Sequence, residues 1–199
     1  VLMAYNTFTL ELVKSQFSLT IINERFCNSL PIAEPQPEFT IVFNDLFELA
    51  EGARTEKAKS ELLVTPILAQ ATKLSGGKVK LFSGEEFNVD HEKGLNGFCD
   101  FLFSRSANPY TIDAPVLMLV EAKRGEIEFG LGQCVAEMIA AQLYNNSQGQ
   151  IIPIIYGCVT SGRLWQFLKL ENNNVTIDPD NYPLIPINKI LGILKSILS

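Results

Sequence analysis

The sequence has few of the residues that build zinc sites, disulfide frameworks or membrane spans. It contains one histidine, His91, and four cysteines without a Cys-x-x-Cys pair, so neither a zinc site nor an ordered disulfide pattern is predicted. Its uncharged apolar runs, such as 151–156, are far shorter than the roughly 18 to 20 residues that cross a bilayer. Residues 1–5 lack the basic start and apolar stretch of a secretory signal. We therefore expect a cytoplasmic protein with no membrane partner.

Charged residues are also scarce, at 19%, whereas apolar residues make up 47%, which excludes a disordered chain. The net charge of −6 disfavours non-specific binding to a polyanion, because nucleic-acid affinity depends on phosphate neutralisation. The segment from Arg54 to Lys80, however, holds six basic residues and two acidic ones. This segment is either a basic sector on an acidic body or a solvated helix face, and both interpretations stay open.

The chain of 199 residues is predicted to form one domain with an appended segment. The proline-rich stretch 31–37 is the clearest break, since each proline removes a donor and favours extended geometry before it. We interpret residues 1–37 as an N-terminal appendage packed on the core, with a strand at Phe8–Leu12. Residues 38–199 are then the main domain.

Hydrophobic periodicity in the main domain predicts a mixed α/β fold. The longer helix should kink at Pro66, and the closing amphipathic helix should dock on the body or on a second copy, which would make a homodimer. The predicted helices span about 44–50, 55–76, 130–144 and 187–198, and the extended segments span 78–90, 97–105, 115–123 and 151–177.

Strand alternation brings three ionisable residues together. Glu121 and Lys123 share one face of their strand, and Asp100 lies on the strand before it. An antiparallel return would place opposed Cβ atoms about 5 Å apart, so Asp100 and Glu121 can bind one divalent cation. Buried carboxylates must be neutralised, which either a hard cation or a lysine could do. Mg²⁺ (or Mn²⁺) prefers oxygen ligands and keeps several waters, so positions stay open for a phosphate and an attacking water. Lys123 could act as the catalytic base that deprotonates or orients the attacking water, or as a stabiliser that offsets charge on the phosphate.

This pattern resembles the PD-(D/E)XK, or restriction-endonuclease-like, phosphodiesterase superfamily. Its motif is an acid on one strand and (D/E)-x-K on the next, here Asp100 and Glu121-Ala122-Lys123. The resemblance implies a restriction-endonuclease-like core with a central mixed sheet flanked by helices. It also implies that Glu61 is an acid of the first core helix and that Gln133 follows the lysine on the next helix. Glu137 stands where one branch of the superfamily has a tyrosine.

Three segments, 94–101, 120–123 and 132–138, look more closely like a group of uncharacterised cyanobacterial proteins assigned to this fold. That group brings no established activity. The resemblance to the superfamily implies a nuclease dependent on Mg²⁺ (or Mn²⁺) that acts on nucleic acid, with DNA favoured over RNA. The implied metal ligands are Asp100, Glu121 and Glu61. The implied catalytic residues are Lys123, Glu61 and Gln133.

Other interpretations of the same residues stay open. Asp100 could be solvated at a strand end, and Glu121 with Lys123 could form a surface ion pair. Glu61 could simply lie at the edge of its helix without a role in the site. Gln133 and Glu137 could form an exposed stripe on theirs. Trp165 and Phe167 could stack on nucleobases, although core packing is the commoner fate of such residues.

Two other function classes also stay open. The fold could be a catalytically silent module whose acidic surface and apolar terminal helix bind a protein partner, which the net charge of −6 favours. A small-molecule phosphoesterase is a third interpretation.

Overall fold

The computed structural model describes residues 3–199, and the fold within them is mixed α/β, as predicted. Residues 1 and 2, which we assigned to the N-terminal appendage, lie outside the described residues. The α-helices of residues 3–199 are α1 (Leu10–Gln16), α2 (Pro37–Leu49), α3 (Glu56–Lys59), α4 (Thr65–Leu74), α5 (Leu131–Ser147) and α6 (Ile187–Leu198).

A single mixed sheet forms the centre of the fold. Its strands, within the described chain, are β1 (Thr20–Asn23), β2 (Lys80–Glu86), β3 (Phe98–Ser104), β4 (Val116–Ala122), β5 (Ile155–Thr160), β6 (Leu164–Glu171), β7 (Asn174–Ile177) and β8 (Tyr182–Pro183). They are ordered β1-β7-β6-β5-β4-β3-β2, with β8 also paired to β6. The antiparallel trio β2–β3–β4 is followed by α5 and by β5, which lies parallel to β4. This is the helix, trio, helix and strand order that we predicted for the core.

Helices cover both faces of the sheet. One apolar layer includes residues of α2, α4 and α6 and contacts Met118 and Trp165, and the other includes residues of α1 and α5 and contacts Leu119. Met118 and Leu119 point to opposite faces because successive strand residues alternate. All seven residues of β4 are buried, so a charged residue on this strand lies inside the core. Trp165 and Phe167 are fully buried, which confirms core packing and excludes nucleobase stacking on them.

The predicted long helix is interrupted where Pro66 occurs. Between α3 and α4, residues Ser60–Val64 form one π-helical turn. Pro66 lacks the N–H that would bond to the fourth residue before it. The Thr65 hydroxyl donates to the Ser60 carbonyl at 2.9 Å. Glu56 lies in α3, before this turn, and Glu61 lies within it.

The strand predicted at Phe8–Leu12 is wrong, because residues from Leu10 onward form α1. The Thr9 side chain accepts a hydrogen bond from the Leu12 N–H at 3.2 Å, a cap that starts the helix. The only strand before α2 in the described chain is β1, which pairs parallel with β7 at one edge of the central sheet. Treating residues 1–37 as a separate appendage stays a prediction.

The closing helix α6 docks on the body, which is one of the two outcomes that we expected. Its apolar residues, including Ile190, Leu191 and Leu194, are buried against α4 and β4. Dimerisation through α6 stays a prediction. Among residues 3–199, no helix combines the length and the apolar character needed to span a membrane.

Candidate active site

The register of β3 and β4 brings the predicted residues to one place. Phe101 pairs with Val120, so the preceding Asp100 lies opposite Glu121 on the antiparallel neighbour. Asp100, Glu121, Lys123 and Gln133 all line one cavity of about 440 Å³. Four of the five predicted site residues therefore share a cavity, at the ends of two central strands and the start of α5.

Glu121 is the buried carboxylate of this cavity. Glu121 is 2% exposed, and its Oε1 accepts a hydrogen bond from Lys123 Nζ at 2.5 Å. The other oxygen, Oε2, has no hydrogen-bond partner among residues 3–199. Burial, helped by the like charge of Asp100, raises the pKa of Glu121 to about 8 despite the attraction of Lys123. The surface ion pair considered above is therefore not what the structure contains.

Asp100 is half-buried and is tied to the neighbouring strand. Its Oδ2 accepts a hydrogen bond from the backbone N–H of Ala122 at 2.8 Å. Burial raises the pKa of Asp100, while this hydrogen bond and the charge of Lys123 act in the opposite direction. Asp100 is therefore held in a fixed position beside Glu121, and is not a freely solvated strand-end residue.

Lys123 follows β4 and is positioned by both its backbone and its ammonium group. Its N–H donates to the Thr160 carbonyl at 2.8 Å, which continues the parallel pairing of β4 with β5. Its Nζ donates to Glu121 Oε1 and to Gln133 Oε1, the latter at 3.0 Å. Burial alone would lower the pKa of Lys123, but the Glu121 carboxylate raises it, and the net shift is upward. The ammonium is therefore charged at neutral pH.

Gln133 and Glu137 lie one turn apart on α5 and extend the network inward. Gln133 Nε2 donates to Glu137 Oε1 at 3.1 Å, so the Gln133 oxygen faces Lys123. Glu137 is 0% exposed, and its Oε2 has no partner among the described side chains and backbone groups. Burial raises the pKa of Glu137 well above its usual range. The exposed-stripe interpretation of these two residues is therefore wrong.

Glu61 occupies a different position from the other predicted residues. It lies on the π turn and pairs with Lys57 at 2.7 Å, and its side chain is 59% exposed. It lines a neighbouring cavity of about 260 Å³, which it shares with Asp100 but not with Glu121 or Lys123. The structure thus brings Glu61 near one ligand candidate and not into the central network.

Sequence reasoning missed Glu56, the first residue of α3. Glu56 lines both the larger cavity, with Glu121 and Lys123, and the smaller one, with Glu61. Its charge also contributes to the raised pKa values of Asp100 and Glu121. The available signal was an acid directly after the capping Thr55, but helical spacing does not show which of Glu56 and Glu61 lines the cavity with Glu121.

The N-terminal segment supplies a wall of the same cavity, which the sequence analysis also missed. Ala4, Tyr5 and Asn6 line it together with the residues at the strand ends. Tyr5 is buried, its hydroxyl donates to the Phe87 carbonyl at 2.6 Å, and its N–H donates to the Asn96 carbonyl at 3.1 Å. These bonds hold the segment against the loop that leads into β3.

The cavity fits a cation that keeps most of its water. Within residues 3–199 no three side chains of the histidine, cysteine, aspartate and glutamate types converge as a full ligand set. Asp100 and Glu121 nevertheless offer hard carboxylate oxygens, and the unpartnered Glu121 Oε2 is buried without compensation. Mg²⁺ is commonly bound by one or two carboxylates plus water and phosphate, so this pair suits Mg²⁺ or Mn²⁺ better than zinc.

Comparisons with known proteins add little to this description. No family model matches the chain. No curated protein matches it, so the likeness to a cyanobacterial group stays a prediction. Among solved structures, the chain is similar to the type IIG restriction endonuclease BpuSI, with 18% identity and a TM-score of 0.44. That alignment covers 67% of this chain and 15% of the endonuclease, so the chain spans a small part of that protein's length.

Proposed function

We propose that this chain is a divalent-metal-dependent phosphodiester hydrolase that acts on nucleic acid. The observation that carries the proposal is the cavity in which Asp100, Glu121 and Lys123 meet, with one Glu121 oxygen left unpartnered. Asp100 and Glu121 are the proposed ligands of Mg²⁺ or Mn²⁺. When bound, the metal would neutralise phosphate charge and lower the pKa of a coordinated water.

Lys123 acts in this proposal as the stabiliser of negative charge on the phosphate. Its ammonium is charged at neutral pH and lies in a partly buried cavity, where electrostatic interactions are stronger than in water. A general-base role would require the neutral amine, which the upward shift of its pKa disfavours. Of the two roles predicted for Lys123, we therefore retain charge stabilisation.

Gln133 positions Lys123 and does not itself carry charge. Its amide oxygen accepts from Lys123 Nζ at 3.0 Å and fixes one of the three donor directions of the ammonium. A second direction is fixed by Glu121, which leaves the third for an oxygen of the substrate phosphate. Lys123 is therefore oriented before substrate binds, which reduces the reorganisation needed during reaction.

A further acid from the first core helix is proposed as an additional or outer metal ligand. Glu61 was predicted for this role and shares the smaller cavity with Asp100. Glu56 is a second candidate, because it lines the cavity that contains Glu121 and Lys123. Nucleic acid as substrate, DNA in preference to RNA, and a cytoplasmic location follow from the sequence predictions and belong to this proposal.

The test is cleavage of labelled single-stranded and duplex DNA and RNA with Mg²⁺ or Mn²⁺, comparing the parent with Asp100→Asn and Lys123→Ala. We expect metal-dependent cleavage in the parent, and a cleavage rate at least about a hundredfold lower in both variants. Asp45→Asn and Lys195→Ala, two exposed residues on α2 and α6, are matched controls and should leave the rate unchanged.

Metal binding gives a second measurement that does not depend on turnover. Titration calorimetry with Mn²⁺ should show binding to the parent that Asp100→Asn weakens and Asp45→Asn does not. A parent that neither cleaves any of the four substrates nor binds Mn²⁺ would refute the proposal. That outcome would favour the catalytically silent, protein-binding module considered above.

A further inference from the structure

Two exposed aromatic rings flank the candidate active site. Phe98 begins β3 and is 66% exposed, although most of the residues after it in the strand are buried. It lies two residues before Asp100, on the same face of the strand, so their Cα atoms are about 6.5 Å apart. Both residues line the cavity that contains Glu121 and Lys123. The Phe98 ring therefore lies at the mouth of the proposed catalytic cavity, beside a proposed metal ligand.

The second ring belongs to Phe129, in the 3₁₀ turn Ile127–Gly130 that precedes α5, and it is 78% exposed. Phe129 lines a groove of about 550 Å³ between this turn and the N-terminal segment. Asn6 lines both this groove and the catalytic cavity, so the two are neighbours that share a wall. A ligand that extends from Lys123 past Asn6 would reach Phe129.

The chemistry of the groove selects the part of a nucleotide that can enter it. Its charged lining residues, Glu11 and Glu128, are both acidic and would repel a phosphate group. Its other lining residues include the apolar Phe8, Leu10 and Leu131. A nucleobase suits both features, because its flat face stacks on an aromatic ring and its N–H groups can donate to carboxylates.

Charge provides an independent argument for binding through the bases. The chain has a net charge of −6, and the catalytic cavity holds Glu56, Asp100 and Glu121 against a single lysine, Lys123. Phosphate contacts usually dominate nucleic-acid affinity and require clustered basic residues. Base stacking on aromatic rings does not depend on that charge, and can hold a strand where the surface is acidic.

We propose that this site takes single-stranded nucleic acid, with Phe98 and Phe129 stacking on nucleobases to either side of the phosphate that reaches Lys123. This inference rests on the proposed function and adds the substrate class. In a duplex the bases are paired and stacked inside the helix, so their faces do not reach the two rings. A single strand exposes every base.

The test measures binding of fluorescein-labelled oligonucleotides by anisotropy, in the Lys123→Ala background so that the strand is not cleaved. The probes are a single-stranded DNA, its RNA counterpart, the same DNA with abasic residues, and the matching duplex. We expect Phe98→Ala and Phe129→Ala each to weaken single-strand binding about tenfold, and Phe98→Trp to retain it. The abasic strand and the duplex should bind at least about tenfold more weakly than the intact single strand.

Tyr110→Ala is the matched control, because Tyr110 is 90% exposed and lines a different cavity that contains none of the proposed catalytic residues. It should leave binding unchanged. Thermal melting tests whether the variants fold. The comparison of intact with abasic strands uses no aromatic substitution, so it tests the inference even if a variant does not fold. If Phe129→Ala instead converts a dimer to a monomer, the groove serves a second copy and the inference is overturned.

The two proposals fail in different ways. A parent protein that cleaves nucleic acid, yet whose Phe98→Ala and Phe129→Ala variants bind single strands as before, overturns only the stacking inference. Equal affinity for intact and abasic strands would also overturn only the stacking inference. A parent that neither binds nor cleaves any probe overturns the proposed function, and the stacking inference with it.

Discussion

Lys123 Nζ lies 2.5 Å from Oε1 of Glu121, while Oε2 of the same carboxylate has no hydrogen-bond partner among residues 3–199. One oxygen is thus neutralised, and the other is buried without compensation. A buried polar atom without a partner costs about 1–3 kcal/mol, and more if it carries charge. The unpartnered Oε2 therefore lowers the stability of the folded protein, and a bound cation would offset this loss.

This arrangement predicts how metal-free stability depends on pH. The pKa of Glu121 is raised from 4.5 to about 8 in the folded protein, so the folded state binds more protons than the unfolded state between these values. The free energy of unfolding should consequently be greatest near pH 4.5 and fall as the pH rises towards 8. The raised pKa values of Asp100 and Glu137 act in the same direction. Urea unfolding in EDTA across this range measures the slope.

Glu121→Gln is the control for the pH prediction, because it keeps the shape of the side chain and removes its titration. The slope should become shallower in this variant. Asp90 and Asp180 are partly exposed, ion-paired residues whose pKa values are lowered, so they act below this window. Stability that increases with pH over the window, or an unchanged slope in Glu121→Gln, would contradict the prediction.

The buried Glu137 provides a second prediction. Its Oε1 accepts from Gln133 Nε2, and this bond keeps the Gln133 oxygen towards Lys123. Glu137→Gln still offers an amide oxygen to Gln133 and should keep kcat within about twofold, whereas Glu137→Leu removes the acceptor and should lower kcat about tenfold. Initial rates with a cleavable oligonucleotide measure both. Equal rates in the two variants would show that Glu137 does not position Gln133.

The loss of Mn²⁺ affinity should differ between variants of Glu56 and Glu61, the two acids of the first core helix. Glu56 shares the larger cavity with Glu121 and Lys123, whereas Glu61 is paired with Lys57 and shares only the smaller one. We expect Glu56→Gln to weaken Mn²⁺ binding by roughly two- to tenfold, and Glu61→Gln to weaken it less, because charge acts more strongly at short range. Titration calorimetry makes the comparison. A larger effect of Glu61→Gln would favour the assignment made from sequence.

Gly192 of α6 lies close to the backbone of the segment before α2. A Cβ at Gly192 would lie 2.0 Å from the Pro31 carbonyl oxygen, so Gly192→Ala must displace the segment before α2. Overpacking of this kind should destabilise by about 1–3 kcal/mol, which outweighs the gain of up to about 1 kcal/mol in helix propensity. Gly125→Ala is the control, since nothing lies within 4 Å of a Cβ there. Urea unfolding should show a loss only for Gly192→Ala.

The central site was predictable because it depends on strand alternation. Glu121 and Lys123 share a face in any extended conformation, and the antiparallel order of β3 and β4 follows from the short connection between them. Buried carboxylates between apolar residues, as at Asp100 and Glu121, also require a neutralising partner. Local periodicity and elementary electrostatics were therefore sufficient for these residues and for the bounds of α5 to within a few positions.

The surroundings of the site were not predictable, because they depend on tertiary contacts and on local capping. Phe8, Leu10 and Leu12 alternate as a strand would, but the Thr9 cap begins α1. Burial of Glu137 depends on how α5 packs on the sheet, and the place of Glu56 in the cavity depends on how the start of α3 lies relative to the strand ends. Neither feature has a local sequence pattern that is strong enough to predict it.

The parallel pairing of β1 with β7 has a consequence for biosynthesis. Thr20 pairs with Asn174, so the β1 segment leaves the ribosome long before the strand that it joins has been translated. During that interval its backbone donors and acceptors stay available to chaperones or to other nascent chains. The sheet can close at this edge only after β7 has been translated, which makes the pairing of β1 with β7 a non-local folding step.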